Sequence, residues 1–388
     1  MSRPDRGSQQ LPHGSKAGAK RLVLKVGSAV LTGGKGKLDV PFLRGLAGQV
    51  AAARQAGYEV VLVSSGAIAA GRGALGLPEG ARSIPEMQAA AAVGQSSLIG
   101  LYARCFTRHG LTVAQLLLTH DDFSDRQRYL NARNTLQTLL AYGAVPIINE
   151  NDTVSVEEIK FGDNDTLSAL VASLLDADLL LMLSDVEGLY SADPRANADA
   201  RLISRVRSIT PQMLESASVR ANAVGRGGMR AKLEAAKRAT RAGIRCMVIN
   251  GRPPTNVRRA LAGEPVGTTF EPQARVLKGR KWWILHTLKP QGMVQVDDGA
   301  KRALIEQGRS LLPSGVLEVT GNFHFADAVL CCDKNKQAFA RGLVNYDAQA
   351  LRRIRGLHTS KIAEILGSKE YDEVIHRDDL VLLEQDDL

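Results

Sequence analysis

Two clusters of acids and amides lie near the middle of the chain, Asn149-Glu150-Asn151-Asp152 and Asp163-Asn164-Asp165. Mixed Asp and Asn side chains offer both acceptors and donors, which suits a zwitterionic ligand bearing an ammonium and carboxylates. The first cluster follows the apolar run Val145 to Ile148, and the second precedes a helical pattern from Leu167 onward. Each is therefore held by a scaffold, and the stretch from Val145 to Ala169 reads as a substrate cradle. An acidic surface loop is the competing reading. Two glycine-flanked lysines could supply phosphate chemistry. In Lys25-Val26-Gly27-Ser28 the missing Cβ lets backbone N–H groups approach a ligand, while the ammonium acts as a point charge. A solvent-facing lysine on an edge strand would look the same. Gly225-Arg226-Gly227-Gly228-Met229 leads into a helix from Arg230 to Arg241, whose positive N-terminus suits an anion. Arg226, Arg230 and Lys232 add three cations within seven residues.

What is missing narrows the chemistry. The seven histidines (13, 109, 120, 286, 324, 358 and 376) all lie outside these motifs, and no nucleophile stands out. A carboxylate acceptor is already ionised at neutral pH and needs no general base. Such a site has only to align donor with acceptor and neutralise charge on a transferred phosphoryl group. Gly71-Arg72-Gly73-Ala74-Leu75-Gly76 matches a dinucleotide fingerprint by spelling, but it ends the SSGAIAA segment instead of joining a strand to the helix it opens. It is a chance match, and a phosphate loop of the G-x-x-x-x-G-K-[ST] type is absent.

The elements that must position these residues alternate. Strands are expected at Arg21–Val26, Val60–Val63, Leu111–Leu118, Val145–Ile148, Leu179–Leu183 and Arg245–Ile249. Helices are expected at Pro41–Gln55, from Pro85 into Arg108, Arg128–Leu140, from Thr166, and Met229–Arg241. Such alternation predicts an α/β fold with a doubly wound, mostly parallel sheet sandwiched by helices. Ligands in these sheets bind at the carboxyl ends of strands. Lys25 to Gly27, Ser64-Ser65-Gly66, Asn149 to Asp152 and Ser184-Asp185 all fall there. Past Thr269 the texture changes. Residues 271–281 read as a polar linker, and 282–388 as a small, mostly β module with strands at 283–285, 293–296, 316–320, 328–332 and 340–344. Short helices at 299–307 and 359–366 interrupt them. Residues 1–20 read as a disordered basic leader without the apolar segment of a secretion signal, leaving 21–270 as the catalytic domain.

With 388 residues, 44% of them hydrophobic, the chain is long enough for two domains. No apolar run reaches the ~18 residues of a membrane span. The four cysteines show no zinc or redox spacing, which favours reduced thiols and a cytoplasmic setting. The net charge of +10 is uneven: residues 21–270 hold 29 basic against 22 acidic side chains, whereas 271–388 hold 17 of each. A basic catalytic half suits anionic substrates. The neutral tail weighs against nucleic acid, whose binding draws on Lys and Arg.

Here a resemblance enters. The segments LVLKVGSAVLT, VVLVSSGAIAAG, AAAAVGQSSL, YLNARNTL, VPIINENDTV, EIKFGDNDTLSA, LLLMLSDVEGLYSADPR and GRGGMRAKLEAAKRA resemble, in order and spacing, the glutamate 5-kinase branch of the amino acid kinase family. SLLPSGVLEVTGNF and ARGLVNYDAQALRRIRG look like the PUA domain appended to bacterial members. The resemblance implies the amino acid kinase fold and transfer of phosphate from ATP to the side-chain carboxylate of L-glutamate, the first step of proline synthesis. It implies Lys25 and Lys232 as phosphate-stabilising lysines, with Asp165 holding them in place, although an ordinary helix N-cap would also account for Asp165. Ser65, Asp152 and Asn164 match glutamate-binding positions. Lys25, Ser184 and Asp185, with Arg226, Gly227, Gly228, Met229, Arg230, Ala231 and Lys232, match ATP-binding segments. Mg²⁺ is expected to arrive on the ATP phosphates, with no dedicated metal site. Proline is implied as feedback inhibitor, and a homo-oligomer (dimer or tetramer) as the assembly; no membrane partner is expected. Three departures stand out: Arg226 and Ala231 replace threonines usual in the family, and Ala326-Asp327 replaces a turn glycine in the module.

Two alternatives remain. One is another kinase of the family, acting on acetylglutamate, aspartate or a nucleoside monophosphate. The other is an RNA-binding protein working through the module, whose local basic cluster is Arg352, Arg353 and Arg355.

Overall fold

In a computed structural model, residues 20–33, 37–77, 83–155, 164–194, 196–219, 228–273, 280–286 and 288–383 are described. Residues 1–19 of the leader, most of the linker, and Asp163, Arg226 and Gly227 lie outside them, while Lys20 opens the first strand. Two compact units divide the described chain. One draws on residues 20–122 and 127–273, the other on 123–126 and 280–383.

The first unit is an eight-stranded sheet of β1 (Lys20–Val26), β2 (Tyr58–Ser64), β3 (Val113–Leu118), β4 (Val145–Glu150), β5 (Leu179–Ser184), β6 (Arg205–Val206), β7 (Arg245–Asn250) and β8 (Thr268–Phe270). Their order is β3-β4-β2-β1-β5-β7-β8-β6, parallel throughout except where β7 meets β8. Strands covered on both faces read as unbroken apolar runs instead of alternating ones, and β4 (VPIINE) and β5 (LLLMLS) are buried at every residue. The helices are α1 (Ser28–Thr32), α2 (Val40–Gln55), α3 (Ala67–Ala74), α4 (Ile84–Thr107), α5 (His120–Ser124), α6 (Arg126–Ala141), α7 (Asn164–Leu174), α8 (Pro211–Val219), α9 (Met229–Arg241) and α10 (Asn256–Leu261). Local signals explain their starts. Asp39 accepts from the Phe42 N–H at the head of α2, and Ser83 with Glu86 forms a reciprocal capping box ahead of Pro85 in α4. From β1 the chain passes to β2, on to the outer β3 and back to β4 between them, then crosses to β5 and β7 on the other side. The carboxyl ends of β1 and β5 therefore flank a switch point.

Most expected elements are present with ends shifted by one to three residues. The Gly71–Gly76 stretch lies in α3 and the turn after it, so it opens no phosphate-binding loop.

The second unit holds a five-stranded sheet ordered β10-β9-β11-β12-β13. Its strands are β9 (Gly292–Val296), β10 (Val316–Gly321), β11 (Ala328–Cys332), β12 (Ala338–Leu343) and β13 (Leu380–Leu382). Helices α11 (Arg280–His286), α12 (Asp298–Glu306), α13 (Ala348–Ile354) and α14 (Ile362–Leu366) accompany it. The expected strand at 283–285 is instead part of α11. A three-residue apolar run fits a buried helix as well as a strand, and here Trp283, Ile284 and Leu285 are all buried, with the Trp283 indole donating to the Phe123 carbonyl oxygen at 2.7 Å. The missing glycine has a visible consequence: Ala326 takes φ +67°, and Asp327 Oδ2 steadies the turn by accepting from the His324 N–H at 2.7 Å.

Candidate active site

Lys25 is the penultimate residue of β1, which pairs with β2 and β5 on its two sides. It is thus no edge lysine: it is 4% exposed, with its Nζ 2.6 Å from Asp165 Oδ1. Asp165 sits in the first turn of α7, wholly buried, and Lys232 in the first turn of α9 donates from Nζ to Asp165 Oδ2 at 3.1 Å. A helix start alone would not bury a carboxylate so completely. Burial works to raise the Asp165 carboxyl, but Lys232 and Lys25 outweigh it and hold the group below its ordinary range. One carboxylate thereby gathers two ammonium groups from two elements, the charge a transferred phosphoryl group calls for.

The cradle is built from strand ends. Ser65 follows β2, its N–H donating to the Val26 carbonyl oxygen, and Gly66 turns the chain at φ +106°. The neighbouring Ser64 hydroxyl bonds the buried Tyr102 hydroxyl at 2.8 Å and the Ser65 carbonyl oxygen at 2.9 Å. At the head of α7, Asn164 donates through Nδ2 to Ser65 Oγ at 2.9 Å and to Asn149 Oδ1 at 3.0 Å. Asn149 Oδ1 also accepts from the Glu150 N–H, and its Nδ2 donates to Gln95 Oε1, each at 2.9 Å. Asp152 lies in the turn after β4, and burial pushes its carboxyl up to about 7. Asp152 Oδ1 and Asn164 Oδ1 are buried acceptors with no hydrogen-bond donor among the described residues. Unmet buried acceptors cost free energy, so they point to a donor-bearing ligand such as an ammonium.

Of the residues expected from sequence, the fold joins Lys25, Asp165 and Lys232 in one cluster and Ser65 with Asn164 in another. Ser184 is buried at the end of β5, its hydroxyl 3.3 Å from Asp185 Oδ1. Gly228 caps α9 by backbone alone, with no side-chain cap. Arg230 pairs with Glu234 on its own helix at 2.9 Å. Met229 and Ala231 share that first turn with Lys232. Gln95, Tyr102 and Asn149 were absent from the expected set. Asn149 stood in the first cluster and could have been taken with it, whereas a lone glutamine or tyrosine in a helix carries no such signal. Among the described residues no group of three or more His, Cys, Asp or Glu side chains could hold a metal ion, and no helix is long and apolar enough to cross a membrane. The four cysteines are free and buried.

Comparison with known proteins adds the following. The amino acid kinase family model matches residues 20–250, and the PUA domain model matches residues 292–366. A glutamate 5-kinase of Geobacter sulfurreducens is 52% identical over 364 residues, spanning 94% of this chain and 98% of its own length. One from Geobacter metallireducens is 51% identical with the same coverage, and one from Myxococcus xanthus is 49% identical over 365 residues, 94% of this chain and 97% of its own.

Proposed function

The chain belongs to the amino acid kinase family, and from that premise we propose that its site transfers the γ-phosphoryl group of ATP to the side-chain carboxylate of L-glutamate. A glutamate carboxylate oxygen forms the new bond to phosphorus as the bond to the bridging oxygen of ADP breaks, giving L-glutamyl 5-phosphate and ADP. No proton has to move, which accords with a site lacking histidine. Lys25 and Lys232 neutralise charge spreading over the transferred oxygens, and Asp165 keeps the two ammonium groups in place. Asp152 and Asn164 take the α-ammonium on their unmet acceptors, and Ser65 donates to a substrate carboxylate. Ser184 and Asp185, the sequence segment Arg226-Gly227-Gly228, and the first turn of α9 with Met229, Arg230, Ala231 and Lys232 bind the nucleotide. Mg²⁺ comes with ATP, held by its phosphates and water.

The observation that carries this reading is the buried carboxylate bridging two lysines from separate elements, beside a cradle with unmet acceptors. Trapping the acyl phosphate as its hydroxamate tests it: glutamate should give product, and acetylglutamate, whose nitrogen carries no charge, should not. Equal turnover of the two would defeat the assignment. Proline, with the same α-amino and carboxylate groups, acts as an end-product inhibitor sharing part of the cradle, so rising glutamate should relieve it. The working form is a homo-oligomer in the cytoplasm, with catalysis confined to residues 21–270 and the C-terminal PUA domain serving regulation or assembly.

A further inference from the structure

We propose that Gln95, outside the glutamate-binding set, is a positioning residue that holds Asn149, and through it Asn164 and Ser65, in the donor–acceptor arrangement the Glu150 N–H dictates. The inference rests on the glutamate reading above and extends it to how the cradle is oriented.

The chain of hydrogen bonds has one polarity, and each link can be derived. The Glu150 N–H can only donate, so the Asn149 atom facing it at 2.9 Å is the oxygen, Oδ1. Asn149 therefore turns its Nδ2 the other way, where Gln95 receives it on Oε1 at 2.9 Å. With Asn149 Oδ1 fixed as an acceptor, the Asn164 atom 3.0 Å from it must be Nδ2. The second Nδ2 proton goes to Ser65 Oγ at 2.9 Å. Two consequences reach the substrate. Asn164 is left with Oδ1 as its remaining group, buried and without a donor among the described residues, as an ammonium needs. Ser65 has an acceptor site occupied and its own proton left to give to a carboxylate. A flipped Asn164 would instead present a donor to the ammonium, which repels it.

Two anchors hold Asn149: a peptide N–H on its own strand, which cannot move independently, and a side chain from another element, which can be replaced. The second anchor depends on close packing. Gly94, the residue before Gln95, lets α4 approach α3 so nearly that a Cβ there would lie 1.8 Å from the Ala67 carbonyl oxygen.

The test is steady-state kinetics on the full chain. Gln95→Met keeps the length but removes the strong acceptor, and Gln95→Glu keeps an acceptor. Gln95→Met should raise the glutamate KM roughly tenfold, the effect of one misdirected buried hydrogen bond, while the ATP KM stays within about twofold. Gln95→Glu should return the glutamate KM to within about threefold of the parent. In an Asn149→Asp background, which has no Nδ2 to hold, Gln95→Met should add less than about twofold. The proposal is overturned if Gln95→Met leaves the glutamate KM unchanged, if Met and Glu raise it equally, or if the effect persists in the Asn149→Asp background. Asp152→Asn serves as the control for the underlying reading. If it raises the glutamate KM and Gln95→Met does not, only the relay fails; if neither raises it, the cradle itself is misassigned.

Discussion

Asp165 shows how one buried carboxylate can serve a reaction it does not enter. Removing either lysine takes one preorganised charge from the transition state, so Lys25→Ala or Lys232→Ala should lower kcat by roughly 10²–10³ in initial-rate assays. A loss below about fivefold for both would remove them from the phosphoryl site. Asp152 acts on an ammonium already present in the ground state, so Asp152→Asn should mainly raise the glutamate KM. Its carboxyl, raised by burial from 3.8 to about 7, must ionise to attract that ammonium. Hence kcat/KM for glutamate should climb with pH through about 7, and the climb should vanish in Asp152→Asn. Stability has the opposite sign. A raised folded-state value makes a contribution that is complete below the ordinary carboxylate range and is lost as pH rises through about 7. Above pH 8, Asp152→Asn should therefore be more stable than the parent by on the order of 2–4 kcal/mol of unfolding free energy, and so melt at a higher temperature. A lower melting temperature there would show that the ionised carboxylate is satisfied in the free protein.

At the scale of elements, the site depends on how closely helices approach. A Cβ at Gly71 would lie 1.8 Å from the Ala90 carbonyl oxygen, and one at Gly94 the same distance from that of Ala67. Both neighbours are backbone, which cannot step aside as a side chain would. Gly94→Ala should thus cost about 1–3 kcal/mol or more through overpacking, and should raise the glutamate KM by displacing Gln95. Gly73→Ala is the internal comparison. It lies in α3, two residues from Gly71, with no described atom within 4 Å of a Cβ, and should be neutral or stabilising by up to about 1 kcal/mol. Equal melting temperatures for the two variants, measured by circular dichroism, would contradict the close-packing account.

For the whole molecule, the described side chains assigned to chemistry lie between Lys25 and Lys232, all in the first unit. The second unit, however, also takes in Phe123–Arg126 from mid-chain, with Phe123 buried and its carbonyl oxygen bonded by the Trp283 indole. A chain ended after Gln273 should keep kcat within about tenfold, under ~1.4 kcal/mol in the barrier. It should also melt at a lower temperature, because Phe123 loses its cover; burial of such a ring stabilises by about 1.5–3 kcal/mol. A truncated protein that is folded by circular dichroism yet has no glutamate-dependent turnover would defeat this division of labour.

Local rules made the parallel sheet legible, because buried strands such as Leu179–Ser184 and capped helices such as Ile84–Thr107 announce themselves within their own residues. Lys25 and Lys232 stood out in the sequence because each belongs to a glycine-bearing or strand-end segment suited to phosphate, whereas the role of Asp165 came only with the family resemblance. The 283–285 run could not be assigned, since three apolar residues fit either backbone once buried. Nor could Gln95 be picked out. An amide in an alanine-rich helix has no local signature, and its role arises only when Gly71 and Gly94 let two helices nearly touch and bring it to Asn149, 54 residues away in the chain. The sequence by itself determined which residues could do chemistry. Tertiary structure decided which of them meet, and which way each amide faces, because hydrogen-bond polarity depends on neighbours that local sequence does not specify.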